Sequence, residues 1–377
     1  MKKIFILTGE LSGDKLASKV IIHLKKINPD IEYLCVGGDN LKALGLKSIY
    51  DINEITYLGF TKVLLNLFKI NSKINQTAKA ILNFNPDILF TVDSPDFTLR
   101  VAKIVKNKNP DIKTVHYVAP QVWVWRKNRV KKIKKFIDHI LLLFSFEKKY
   151  FDKEGVSCEF VGHPLLDSIR DDRIDINQVV GKNKALVSIF PGSRISEIDA
   201  HIPVLISFIK LMGEKYNDIT YIFHSNRAHN ELINSHIKNS NLSNCEVISD
   251  NKIKSHLLKK SIFAIVKSGT VSLEVCNLKI PSIIIYKMNF INFLIIKILV
   301  NVKYANIINI AANEEVIPEL LQSKCNSKDI YKVVIEHLES PLKRERQIIK
   351  TQTILNSLKT DKPSSELAGQ ALNKLLK

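Results

Sequence analysis

The chain has 377 residues, of which 45% are hydrophobic and 25% charged, and its formal net charge is +19. This length is typical of two domains, and the hydrophobic content is sufficient for two cores, which excludes a disordered chain. The positive charge favours partners such as nucleic acid, anionic membranes or phosphorylated ligands, or else it reflects only a Lys-, Ile- and Asn-rich composition.

Short, β-branched apolar runs alternate with helical patterns along the chain. The first set of predicted strands covers residues 4–8, 33–36, 88–92, 114–118, 140–144 and 159–161. The second set covers residues 186–190, 220–223, 246–248, 263–266 and 282–285. Strands that are apolar on both faces are typical of parallel sheets covered by helices. The sequence therefore predicts an α/β protein with two Rossmann-like domains, whose parallel sheets face each other across a cleft.

The domain boundary is predicted in residues 167–184, which are polar, charged and weakly periodic. We expect an N-terminal domain in residues 1–170, a second domain in 171–330 and C-terminal helices in 331–377.

Glycines, carboxylates and an arginine follow the predicted strands. In open α/β sheets, ligands bind beyond the carboxyl ends of the strands. The segments in that position are residues 9–14, 93–97, 119–123, 162–164, 191–194 and 268–270. The sequence thus predicts one ligand-binding edge on each sheet.

Two segments of the second domain are compatible with a nucleotide diphosphate. The segment Ser268-Gly269-Thr270 precedes a predicted helix over 271–277, whose first amides can hold a phosphate, and Glu274 can accept the hydroxyls of a ribose. Alternatively, Ser268 or Thr270 only caps the helix and Glu274 complements its dipole.

The other segment is Pro191-Gly192-Ser193-Arg194, in which the Arg194 guanidinium has the geometry to clamp phosphate oxygens. A surface ion pair between Arg194 and Glu197 is the alternative.

Asp93 and Asp96 share the turn after the predicted strand at 88–92. A carboxylate at the mouth of a sheet can act as a general base on a hydroxyl, whereas a turn or cap role is the competing interpretation. No DxD motif follows a strand and neither His116 nor His163 has a partner at metal-ligand spacing, so we predict no metal and no cofactor.

Two stretches are compatible with a membrane surface. In the first, apolar residues follow helical spacing next to lysines, at Phe60, Val63, Leu64, Leu67 and Phe68. In the second, Trp123 and Trp125 precede a basic run that extends to Lys135. An ordinary core-facing helix is the alternative for the first stretch, and a solvated basic face is the alternative for the second.

Cysteine use and apolar run lengths predict a cytosolic protein. The five cysteines are scattered without a CxxC pair, which is typical of reduced thiols. The apolar run at residues 4–7 is too short for a signal peptide. Residues 280–300 include Lys287, Lys297 and two asparagines, so we predict no spanning helix there.

Taken in order, the motifs resemble the lipid-A-disaccharide synthase family. The segments that carry the resemblance are TGELSGD (8–14), VGG (36–38), DSPDF (93–97), HYVAPQVWVWR (116–126), FEKKYFDK (146–153), FVGHPLLD (160–167), PGSR (191–194) and SGTVSLE (268–274). The resemblance implies a glycosyltransferase B fold. It also implies an inverting transfer in lipid A biosynthesis, from UDP-2,3-diacylglucosamine to 2,3-diacylglucosamine 1-phosphate (lipid X), at the cytoplasmic face of the inner membrane. A homodimer is a further implication.

The resemblance also implies roles for particular residues. Asp93 would be the catalytic base, and Glu10 or Asp96 could share that role. The nucleotide-sugar contacts would be Gly192, Ser193, Arg194, Ser268, Gly269, Thr270, Glu274 and Asn309. The remaining acceptor-site residues would be Ser12, Gln121, Trp125 and Arg126. The chain departs from the family pattern at Ile308, where a proline is usual, and at Lys267 and Val271, where smaller, uncharged residues are usual.

Two other functions compete with this interpretation. One is another UDP-GlcNAc enzyme of the same fold, either the transferase of the peptidoglycan lipid intermediate or a UDP-sugar 2-epimerase. The other is a basic, non-catalytic protein that binds membranes or nucleic acid. We predict no nucleic-acid partner, because Trp123 and Trp125 precede the basic run instead of alternating with it.

Overall fold

A computed structural model describes residues 1–55, 67–124, 129–167, 185–289, 293–294, 300 and 302–377. Contacts within the chain divide it into two compact units. The first contains Met1–Asp167 and Leu358–Lys377, and the second contains Ser168–Ser357. The C-terminal helices, grouped above as residues 331–377, are therefore shared between the two units.

The first unit contains a six-stranded parallel sheet in the order β2-β1-β3-β4-β5-β6. Its strands are β1 (Lys2–Thr8), β2 (Ile31–Val36), β3 (Ile88–Val92), β4 (Lys113–Tyr117), β5 (His139–Leu142) and β6 (Cys158–Phe160). Its helices are α1 (Leu11–Ile27), α2 (Asp39–Lys42), α3 (Leu67–Phe84), α4 (Pro95–Lys108), α5 (Arg129–Ile133) and α6 (Lys148–Asp152). All five residues of β3 are buried, as expected for a central strand covered on both faces.

The second unit contains another six-stranded parallel sheet, in the order β12-β11-β10-β7-β8-β9. Its strands are β7 (Ala185–Phe190), β8 (Ile219–His224), β9 (Cys245–Ile248), β10 (Ser261–Lys267), β11 (Ser282–Tyr286) and β12 (Glu319–Leu321). Its helices are α7 (Ile195–Gly213), α8 (Asn230–Asn239), α9 (Asn251–Lys259), α10 (Val271–Asn277), α11 (Ile307–Ala312), α12 (Ser327–Glu339) and α13 (Pro341–Leu358). The α/β class with two parallel sheets is thus confirmed, and the strand β12 is an addition to the predicted set.

Helix α7 shows how sequence spacing orients an element toward the site. The residues that it buries recur at helical spacing, namely Ile198, Ile202, Leu205, Ile209 and Met212. This stripe packs into the core of the second sheet. The helix begins beyond the carboxyl end of β7, directly after the Pro191–Arg194 segment.

The last helix, α14 (Ser364–Leu376), returns to the first unit, and the GHPLLD segment holds it there. The Asp167 carboxylate accepts hydrogen bonds from the Ser364 amide (3.1 Å) and hydroxyl (3.0 Å), which caps the helix. Gly162 has φ +85°, and a Cβ at this position would lie 2.6 Å from Thr360 Oγ1. The motif is therefore explained by the docking of α14.

Within the described residues, no helix is both long and apolar enough to cross a bilayer. Three residues of the predicted membrane-facing helix, Phe60, Val63 and Leu64, lie outside the described residues, as does the side chain of Leu67. Phe68 is described, at the start of α3, and is 93% exposed.

Candidate active site

Asp93 lies at the carboxyl end of β3 in a turn with unusual backbone geometry. Asp93 and Ser94 have φ values of +54° and +46°, a left-handed conformation that costs energy in most residues. The turn is stabilised because the Asp93 amide donates to the Tyr117 carbonyl (2.9 Å) and Thr98 Oγ1 donates to the Asp93 carbonyl (2.7 Å). Backbone strain that is held in place by neighbouring bonds is typical of a functional position.

The side chain of Asp93 faces the loop after β1. Burial first, and then the charge and hydrogen bond of Glu10, raise the pKa of Asp93 to about 6, against one hydrogen bond from the Ser94 amide that lowers it. A carboxyl group with this pKa is mostly ionised at neutral pH but binds a proton more readily than an ordinary aspartate. Asp93, with Glu10 beside it, therefore has the properties of a general base.

Two glycines allow the loops after β1 and β3 to approach each other closely. A Cβ at Gly9 would lie 2.3 Å from Ser94 Cβ, and a Cβ at Gly13 would lie 3.1 Å from the Val92 carbonyl oxygen. Any side chain at Gly9 would displace the turn that carries Asp93. The TGELSGD segment therefore has its glycines where the two loops meet.

Asp14, the last residue of that segment, is a structural residue that the sequence analysis did not single out. It is fully buried. Its carboxylate accepts hydrogen bonds from the amides of Gly38 (2.7 Å) and Asn40 (2.9 Å), and from the Asn40 side chain (2.8 Å). It thereby fixes the VGG loop and the start of α2.

The other predicted acceptor-site residues are placed differently. Asp96 is exposed and forms an ion pair with Arg129 at 3.2 Å, apart from the bonds that hold Asp93. Ser12 and Gln121 are exposed. Trp125 and Arg126 lie outside the described residues. Of the carboxylates considered, only Glu10 is brought together with Asp93.

Trp123 does not form part of a surface. It is only 4% exposed. Its ring packs edge-on against Phe146 at 5.4 Å between centroids, and Phe146 stacks on Phe144. The membrane-facing interpretation of Trp123 is therefore wrong, because its indole belongs to an aromatic cluster at the ends of β4 and β5.

In the second unit, Gly192 shapes the loop that follows β7. It has φ +137°, and a Cβ there would lie 2.6 Å from Glu197 Cβ. The Ser193 amide donates to Glu197 Oε2 at 3.0 Å, so the carboxylate holds the loop from the first turn of α7. Burial alone would raise the pKa of Glu197, but Lys267, the Ser193 amide and Arg194 keep it below its ordinary value.

Arg194 precedes α7 and extends into solvent. Its side chain is 73% exposed, and its Nη1 atom is 3.6 Å from Glu197 Oε1. Both sequence interpretations are thus compatible with the geometry, because a weak, exposed ion pair leaves most guanidinium donors accessible to a ligand.

Two histidines support this loop and were not predicted. The His201 ring is buried, and its Nε2 accepts from the Lys287 amide (2.9 Å), so Nδ1–H donates to the Pro191 carbonyl (2.6 Å). Burial lowers the pKa of His201, which keeps this neutral form. His229 Nε2 donates to the Ser193 carbonyl at 3.1 Å. The sequence gives no sign of these roles, because each histidine contacts a residue that is distant from it in the chain.

The SGT segment lies between β10 and α10, and α10 spans the predicted residues. Ser268 uses its amide to bind the Ile285 carbonyl (3.2 Å) and its hydroxyl to bind the Ala305 carbonyl (2.9 Å). Thr270 is exposed and its side chain does not cap the helix. Ser268 therefore anchors the segment, and Gly269 and Thr270 are the residues that remain available to a ligand.

Glu274 is half-buried in the first turn of α10. Its charge acts on Lys254, whose pKa is nevertheless lowered by burial. A carboxylate in this position remains compatible with a ribose contact.

Asn309 is fully buried and its side chain is saturated. Its amide nitrogen donates to the Ile317 carbonyl and to Glu319 Oε1, each at 2.8 Å. Its oxygen accepts from the amides of Val316 and Ile317, each at 2.9 Å. Since no donor or acceptor remains, the structure gives Asn309 a supporting role instead of the predicted nucleotide contact.

The two six-stranded parallel sheets, each with polar loops at its carboxyl edge, define the class of glycosyltransferase B folds. This architecture is shared with UDP-GlcNAc 2-epimerase from Neisseria meningitidis bound to UDP-GlcNAc, with a TM-score of 0.67 at 13% identity over 99% of each chain. A glycosyltransferase from Rickettsia africae ESF-5 matches with a TM-score of 0.59 at 14% identity, over 100% of this chain and 98% of its own. These similarities concern the fold alone.

The chain belongs to the lipid-A-disaccharide synthetase family, whose model matches residues 4–374. The lipid-A-disaccharide synthase of Rickettsia prowazekii is 34% identical over 362 residues, which are 95% of this chain and 94% of the relative. That of Rickettsia typhi is 34% identical over 379 residues, with 99% of each chain covered. The protein is therefore an enzyme of the glycosyltransferase class.

Proposed function

We propose that the enzyme condenses UDP-2,3-diacylglucosamine with lipid X, giving a β-1,6-linked disaccharide 1-phosphate and UDP. The observation that carries this proposal is the half-buried Asp93 beside Glu10 at the end of β3, with its pKa raised to about 6. A transfer to a sugar hydroxyl needs such a base. Membership of the family supports the choice of substrates.

Asp93 would accept the proton of the acceptor 6-hydroxyl as its oxygen bonds to the anomeric carbon of the donor. The bond from that carbon to the UDP oxygen breaks on the opposite face, so the centre inverts. The transition state has oxocarbenium character, as in glycoside chemistry generally.

Negative charge develops on the departing UDP. We infer that Gly192, Ser193 and Arg194 hold its phosphates together with the Gly269–Thr270 backbone, and that Glu274 accepts the ribose hydroxyls. Fixed donors of this kind stabilise a leaving group because they require no reorganisation during the reaction. In this proposal the chain needs no metal and no cofactor.

The decisive experiment is an assay of the purified protein with both lipid substrates in detergent, with and without EDTA. We expect release of UDP and a disaccharide product, with rates unchanged by EDTA. Loss of activity in EDTA would contradict the metal-independent mechanism. Turnover of unacylated UDP-GlcNAc without a disaccharide product would indicate a UDP-sugar 2-epimerase instead.

We also propose peripheral association with the cytoplasmic face of the inner membrane, because both substrates carry acyl chains. The support is the almost fully exposed Phe68 at the start of α3, next to the exposed Lys69. We expect Phe68→Ser to weaken binding to phosphatidylglycerol-containing liposomes about 3- to 10-fold. Leu342→Ser changes an exposed apolar residue of the other unit and is the matched control. Equal binding of both variants and the wild type would refute a role for Phe68.

A further inference from the structure

Lys267, the last residue of β10, places an ammonium group beside the loops proposed to hold the nucleotide phosphates. Its Nζ atom is 3.0 Å from Glu197 Oε1, and the side chain is 21% exposed. The same atom lies 5.4 Å from the centre of the Tyr286 ring. A carboxylate and an aromatic ring therefore hold the ammonium in position, while part of it remains accessible to solvent.

The charges around Glu197 do not cancel. Glu197 is almost completely buried, and its carboxylate faces both Lys267 and Arg194. Two cations opposite one anion leave one positive charge among these three groups. Their position next to the Ser193 amide, at the start of the 19-residue helix α7, adds the positive end of the helix dipole.

Within the part of the chain that the structure describes, open space lies next to this ammonium group. For a Cβ built at Gly269, the closest described atoms beyond the adjoining residues are Lys267 Nζ and the Lys267 carbonyl oxygen, both at 3.9 Å. An ammonium group has three N–H donors, and the ion pair with Glu197 uses one of them. The others can be donated to phosphate oxygens that occupy the space beside Gly269.

We propose that Lys267 binds the diphosphate of the nucleotide directly and stabilises the charge that develops on departing UDP. Glu197 positions the ammonium group before the ligand arrives. The inference rests on the proposed function and adds a residue to it.

The test is isothermal titration calorimetry of Lys267→Met with UDP, UMP and uridine. We expect the affinity for UDP to fall about 10- to 100-fold, because a charge-assisted contact is lost, and the affinity for uridine to stay the same. If Lys267 only stabilised the SGT segment, its replacement would weaken the binding of all three ligands alike. The control is Lys215→Met, which also breaks a lysine–glutamate pair, with Glu339, but on the surface of the same unit.

The removal of Lys267 leaves Glu197 with fewer partners, so the double variant Glu197→Gln, Lys267→Met is measured in parallel. Glutamine retains an oxygen that can accept from the Ser193 amide. The double variant should show the same selective loss of affinity for UDP. Unchanged UDP affinity in both variants, or equal losses for UDP and uridine, overturns the role of Lys267. A wild-type protein that does not bind UDP overturns the proposed function itself.

Discussion

Asp93→Asn is expected to lower the turnover number about 10²- to 10⁴-fold, because an amide cannot accept the proton of the acceptor hydroxyl. Asparagine tolerates the left-handed backbone at φ +54° as well as aspartate does, so the turn should persist. UDP binding, which we propose depends on loops of the second unit, should not change. The measurements are steady-state kinetics and UDP titration of the variant.

The pH dependence of the rate gives this prediction a second readout. The base must be ionised, so the wild-type rate should rise as the pH passes through about 6 and then level off. Glu10→Gln removes a charge that raises the pKa of Asp93, so the midpoint should move to lower pH. A midpoint that is the same in both proteins would contradict the pairing of Glu10 with Asp93.

As the pH rises, the stability of the fold should fall while the reaction rate increases. Because folding raises the pKa of Asp93 from 3.8 to about 6, its stabilising contribution is complete below 3.8 and is lost as the pH rises through 6. An ionised Asp93 therefore destabilises the fold at pH 8. We expect Asp93→Asn to increase the melting temperature more at pH 8 than at pH 5, in scans without substrate.

Asp152→Asn is the control for both readouts, since Asp152 is half-exposed and pairs with Lys148 on the same helix. Its turnover and its melting temperatures should remain close to the wild type. If Asp93→Asn kept most of its turnover in a folded protein, Asp93 would not be the base. Glu10, the carboxylate brought next to it, would then be the candidate.

The sequence predicted the fold well because its signals are local. Runs of β-branched residues mark eleven strands, and the helix predicted at 271–277 is α10 (Val271–Asn277). It did not predict β12, which has only three residues and lacks a run of its own. Nor did it predict the return of α14 to the first unit. That return depends on the contact of Asp167 with Ser364, 197 positions apart.

The sequence predicted which candidate residues follow strands, and the structure places them there, whereas their role in a site stays a prediction. Asp93 and Gly192 follow strands, and both have the positive φ that such turns use. Asn309 was predicted as a ligand contact but is saturated by its own loop, and the role of His201 as a clamp was missed. Both depend on hydrogen bonds between distant segments, and residue type alone does not reveal such bonds.

Gly192→Ala is expected to reduce kcat/KM for the UDP-sugar by about 10²-fold or more, because it disturbs the proposed phosphate loop at its tightest point. The new Cβ would lie 2.6 Å from Glu197 Cβ and 2.8 Å from its Oε2, and the backbone at φ +137° is unfavourable for alanine. Glu197 cannot move without loss of its bond to the Ser193 amide and its ion pair with Lys267. We therefore expect weaker UDP binding and a destabilisation of about 1–3 kcal/mol.

Gly213→Ala provides the matched control at the other end of α7. A Cβ at Gly213 has no neighbour within 4 Å among the described residues, and no positive φ is required. Alanine there should be neutral or should stabilise the fold by up to about 1 kcal/mol, because alanine favours helices more than glycine does. UDP titration and thermal unfolding of both variants separate the alternatives. If Gly192→Ala bound UDP as tightly as Gly213→Ala, the loop after β7 would not be the phosphate site, whatever the effect on stability.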